Sequence, residues 1–165
     1  MNISILKKIH YASIAVLLMT IVHHIYGGII YNTPERFDVV FIAAPAIVIQ
    51  TIALVVYKNN PKATVGKIAS GFFFLSSIGI SIMLFGIVEG GYNHLVKMVL
   101  YFGGASTALL DRLYSSPIYV MPNDYIFEIT GVAQFFIGVY AAYYAALLWR
   151  ETSVWRRKIY PLENL

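Results

Sequence analysis

Four long apolar stretches constrain this chain more than any other feature. They run over residues 9–31, 39–57, 68–91 and 126–149. A helix needs about 20 apolar residues to cross the hydrocarbon core of a bilayer, and each stretch meets that length. An isolated backbone can satisfy its polar groups in lipid only as a helix or a closed barrel. Runs this long and this continuous read as helices. Charged residues make up only 12% of the chain and apolar residues 59%, so an ordinary soluble domain and a disordered chain are both excluded. The expected fold is therefore all-α: an integral membrane four-helix bundle, a single transmembrane domain over residues 1–165.

A fifth apolar stretch, 95–110, is shorter and carries Lys97, Gly103 and Gly104. It reads as a short interfacial or re-entrant helix inside a long extracytoplasmic loop, residues 92–125. Charge sets the topology. Lys7, Lys8, Lys58, Lys62, Lys67, Arg150, Arg156, Arg157 and Lys158, with Glu151 and Glu163, give one side of the membrane +7. Arg36, Lys97 and Arg112 against Glu35, Asp38, Glu89, Asp111, Asp124 and Glu128 give the other −3. The positive-inside rule then places both termini in the cytoplasm. A fifth full span would carry the arginine-rich tail outside, against that rule. The first stretch is too long, and lacks the cleavage site, for a signal peptide. The basic residues meet anionic lipid at the membrane surface and do not form a nucleic-acid surface.

Chain ends and glycines carry further expectations. The pairs Gly27–Gly28 and Gly90–Gly91 read as helix stops, or as the echo of a two-helix duplication. Gly79, Gly86, Gly131, Gly138 and Ala142 read as places where helices approach closely. Gln50 and Gln134 read as hydrogen-bonding groups between helices. Asp124 is positioned to cap the last helix.

The chemistry gathers at one depth. His23 and His24 lie in the outer third of the first helix, Glu89 near the outer end of the third, and His94 five residues on. Asp111 closes the short apolar stretch and Glu128 opens the fourth helix. Ionisable groups in a membrane are costly and face an interior or a cavity. At 100° per residue, Ser13, Thr20, His24, Gly28 and Tyr31 share one stripe of the first helix, and His23 points about 100° away. Glu128, Gly131, Gly138 and Ala142 share the packed arc of the fourth.

Imidazole and carboxylate together suit a transition metal such as copper, zinc or iron. The candidate ligands are His24, Glu89, His94, Glu128 and Asp111, with His23 as alternate to His24. Tyr31 and Asn93 are candidates to hydrogen-bond the ligands, and Lys97 or Arg112 to neutralise excess carboxylate or hold an anion. The spacings Met19-x-x-x-His23 and His94-x-x-x-Met98 add sulfur one turn from imidazole, a pairing copper(I) favours. With no cysteine, thiolate sites and disulfides are excluded. Haem ranks below a bare ion, because no second helical histidine faces His24 and His10 lies at the opposite end.

Two other function classes fit. One is an accessory or structural subunit of a larger membrane complex, or a homo-oligomer, held through the small-residue faces. The other is a small membrane enzyme using Glu/His acid–base chemistry on a lipid-like substrate. On that second class, Glu89-Gly-Gly-Tyr92 resembles the Glu-Gly segment of small four-helix sterol-isomerase-like membrane proteins. The histidine that family places one turn before the glutamate is replaced here by Phe85 or Gly86, so the family's activity is not carried over.

Overall fold

A computed structural model of the chain describes residues 1–115 and 121–159, with side chains to residue 153. The side chains of Arg156, Arg157 and Lys158, together with Glu163 and Pro117, lie outside the described residues. Four helices are long and apolar enough to cross a membrane. α1 spans Ile3–Ile30, α2 Val40–Asn59, α3 Thr64–Phe102 and α5 Tyr125–Ile159. A two-turn 3₁₀ helix, Pro34–Val39, links α1 to α2. The short α4, Thr107–Leu113, lies between α3 and α5.

Local chemistry explains the ends. Asn2 Oδ1 accepts from the Ser4 backbone N–H at 3.0 Å and caps α1. Asp124 Oδ1 accepts from the Phe127 N–H at 2.8 Å and caps α5, as its position in the sequence implies. α1 ends three residues beyond Gly27, and Asn32 takes the left-handed conformation (φ 51°) that turns the chain into the 3₁₀ segment.

The glycine pairs do not stop helices. α1 runs through Gly27–Gly28, and α3 runs through Gly90–Gly91 as far as Phe102. Their role is close approach. A Cβ on Gly90 would stand 2.5 Å from the Phe135 backbone N and 2.9 Å from the Gly131 carbonyl oxygen. A Cβ on Gly86 would stand 2.9 Å from the Gly138 Cα, so α3 and α5 meet backbone to backbone.

The outward faces are apolar. Leu18, Val22, Phe41, Ile52, Leu75, Met83, Ile129 and Phe136 all project away from the bundle. No soluble monomer exposes apolar surface on this scale, and lipid is the solvent such surface fits. Inside, Val16, Leu17, Ala43, Ala46 and Phe85 form one apolar cluster, and Ile5, Leu6, Ile9, Leu54, Phe73 and Leu148 contribute to a second near the chain's N-terminal end. Polar groups bridge helices between them. Thr20 Oγ1 donates to Gln134 Oε1 at 3.1 Å, and Ser77 Oγ donates to Gln50 Oε1 at 3.0 Å.

α3 is unusual along Leu75–Val96, where 22 residues adopt π-helical hydrogen bonding. Such i→i+5 bonding closes a turn about every 4.4 residues instead of 3.6. Burial follows the wider turn: Ser76 and Ser77, Ser81 and Ile82, Phe85 and Gly86, Gly90 and Gly91, then His94. Ser81 Oγ donates to the carbonyl of Ser76, five residues back, at 3.2 Å.

Candidate metal centre

The wide turns of α3 decide which of its side chains meet. In an α-helix, residues five apart diverge by about 140°. In a π-helix they lie within about 50° of each other. Glu89 and His94 therefore project from one face, toward α1 and α5.

α1 supplies two histidines because it is packed on three sides, against α2, α3 and α5. Both members of each pair along it are buried: Val16 and Leu17, His23 and His24, Gly27 and Gly28. The single-stripe reading, which turned His23 away, underestimates the width of that buried arc. His23 is fully buried, while His24 retains 7% exposure.

The geometry of the cluster is close. His94 Nδ1 lies 2.9 Å from Glu128 Oε2, and His94 Nε2 lies 3.5 Å from Glu89 Oε1. His24 Nε2 lies 3.7 Å from the same Glu89 oxygen. Asn93 Nδ2 donates to Glu89 Oε2 at 2.9 Å. Lys97 Nζ, buried with Glu128, lies 3.2 Å from Glu128 Oε1. His23 stacks on Phe127 (centroids 4.1 Å apart, 22° between planes) and meets His94 edge to face at 4.5 Å. Ligand atoms of His23, Glu89 and His94 all lie within 4.8 Å of one another.

The hydrogen bonds are compatible with one set of histidine tautomers in which both free ring nitrogens face Glu89. Thr130 Oγ1 donates its one proton to a backbone carbonyl, Ile126 at 2.8 Å or Phe127 at 3.0 Å. With its proton so placed, its oxygen accepts from His23 Nδ1–H at 3.0 Å in the tautomer that leaves Nε2 free. That leaves the lone pair of His23 on Nε2, which is buried and has no partner. Glu128, paired with Lys97, accepts from His94 Nδ1–H, which in the neutral ring leaves the His94 lone pair on Nε2. That lone pair faces Glu89 Oε1. A positive charge belongs between these two atoms at 3.5 Å: either a second ring proton, which makes His94 an imidazolium bridging Glu128 and Glu89, or a metal ion in place of that proton.

Other candidate residues sit elsewhere. Asp111 is exposed on α4, and no ion pair among the described residues ties it to the cluster. Glu128 lies behind His94, so it orients the ring. Tyr31 donates to Asn123 Oδ1 at 2.6 Å, at the outer rim. Burial, then the negative charges of Asp124 and Glu128, push its phenol up to about 12. Arg36 lies over the rings of Phe127 and Tyr31, at 5.1 and 5.7 Å. His10 is buried beside Phe73 at the other end of α1.

Thr130 and Phe127, which hold the His23 ring, are the members of this cluster the sequence reading missed. A signal existed: Phe127, Thr130, Gly131, Gln134 and Gly138 recur at helical spacing on the α5 face that carries Glu128. Comparison with protein-family models, with curated proteins and with solved structures finds no match to this chain.

Proposed function

We propose that this four-span protein binds one transition-metal ion at the extracytoplasmic end of its bundle, with both termini in the cytoplasm. The ligands are His23 Nε2, His94 Nε2 and Glu89 Oε1. The reading rests on one observation. Two imidazole nitrogens and a carboxylate oxygen converge within 4.8 Å, and each of these side chains is held from behind: His23 by Thr130, His94 by Glu128 and Glu89 by Asn93. Metal-binding histidines characteristically donate the other ring N–H to a carboxylate or hydroxyl in this way.

The donor set favours borderline ions such as zinc, iron(II) or copper(II). Haem fits poorly, because the His23 and His94 rings stand 4.5 Å apart with no slot for a macrocycle between them. The charge asymmetry of the loops supports the orientation.

Metal analysis and an optical spectrum of the detergent-purified protein test the proposal, with His23→Ala and His94→Ala beside the wild type. One equivalent of metal in the wild type, lost in both variants while helicity is retained, is the expected result. A wild type that is metal-free and takes up no added copper, zinc or iron refutes it. The charge-based orientation is checked separately by accessibility labelling of an introduced cysteine at Ser4.

A further inference from the structure

Within this metal reading, we propose that the ion keeps a coordination position on the His24 side. That position takes a small exogenous anion of the hydroxide or azide class, held by a hydrogen bond from His24. Three observations support it.

First, the protein supplies few ligands. Asn93 engages Glu89 Oε2, so Glu89 offers one oxygen, and with His23 and His94 the count is three. Three protein ligands with a vacant position characterise catalytic sites, whereas structural sites are closed.

Second, the vacancy has a direction. His23 is fully buried and the His94 side chain is 3% exposed, so they form the floor. Glu89 is 21% exposed and forms the entrance. His24 lies at that entrance, 3.7 Å from Glu89 Oε1 but outside the three-residue group. Both of its ring nitrogens are buried without a hydrogen-bond partner. A buried imidazole left unpaired is expensive, and an anion on the metal would satisfy it.

Third, the charges call for an anion. Lys97 offsets Glu128, leaving Glu89 as the carboxylate that balances the ion. A divalent metal with one carboxylate has a net charge of +1 in a site shielded from water, and Arg36 adds positive charge at the rim. A bound anion restores neutrality.

Cobalt(II) chloride and sodium azide provide the test, read by visible absorption on the whole protein in detergent. The wild type should take up one cobalt ion, and azide should shift its ligand-field bands. His24→Phe should still take up cobalt but bind azide roughly tenfold to a hundredfold more weakly. His24→Gln keeps an N–H donor and should recover most of that loss. A wild type that takes up no cobalt refutes the metal reading itself. Cobalt uptake with bands indifferent to azide refutes only the vacant position. Loss of cobalt in His24→Phe with helicity retained makes His24 a fourth ligand and overturns the proposal, as does azide affinity unchanged in that variant.

Discussion

Gly131→Ala separates a site built for a ligand from a fortuitous cluster. Gly131 lies against the His94 ring. An added Cβ would fall 2.5 Å from Nδ1, and Cγ and Cδ2 would be nearer still. Carbon contacts in packed interiors sit near 3.5 Å, so the ring must retreat by about 1 Å. The opposite face offers little room, because His23 stands edge-on to the ring at 4.5 Å. Preorganised ligands tolerate about 0.5 Å of misplacement, and metal–nitrogen distances are held within about 0.2 Å. The displaced imidazole is therefore lost as a good ligand. We expect metal affinity to fall 10- to 100-fold, or about 1.4–2.8 kcal/mol. The assay is competition with a chelator of known affinity in detergent, with helicity and thermal midpoint measured in parallel. Gly71→Ala serves as control: nothing lies within 4 Å of its added Cβ, and the change should stabilise α3 by about 0.5–1 kcal/mol. Native-like folding with unchanged affinity in Gly131→Ala would refute the claim that His94 is a ligand.

Two further outcomes follow from the surroundings of the site. Lys97→Met removes the counter-charge of buried Glu128, leaving it the His94 N–H, and should cost about 3–5 kcal/mol, read from denaturation in mixed detergent, and the double variant Lys97→Met/Glu128→Gln should recover at least about 1 kcal/mol of it. Tyr31 carries a phenol whose folded pKa is raised to about 12, so its contribution is full below the unfolded value near 10 and is lost as pH rises through 12. Thermal midpoints at pH 9 and pH 11.5 should therefore diverge less in Tyr31→Phe than in the wild type, and equal divergence would refute that assignment.

The fold was legible because its main determinants are one-dimensional. About twenty apolar residues imply a span, and the four spans follow from counting; a short helix before the last span was also expected, but residues 95–102 of the stretch assigned to it continue α3, and α4 begins only at Thr107. Gly131 and Gly138 were legible as packing positions, and Gln50 and Gln134 as bridges between helices, because a small or polar group inside lipid has few other uses. Lys97 was legible as a counter-charge, though not its partner. What could not be read was rotation. His23 ranks only as the alternate to His24 on a helical wheel, because a wheel shows one arc and cannot show that α1 is flanked on three sides. The end of α3 was placed at Gly91 because glycine usually stops a soluble helix, and here it admits a neighbour's backbone instead. Asp111 looked like a ligand only because it lay at the right distance along the chain.

The π-helical stretch of α3 also changes how the motif should be written. In an ordinary helix, a carboxylate and an imidazole that share one ion recur at i and i+4. Here the same convergence is written Glu-x-x-x-x-His, Glu89 to His94, because each turn holds nearly one extra residue. The five-residue spacing thus does in this π-helix what the four-residue spacing does in an α-helix. A distant homologue lacking one residue between these two positions would revert locally to α geometry and still present both ligands to the same ion.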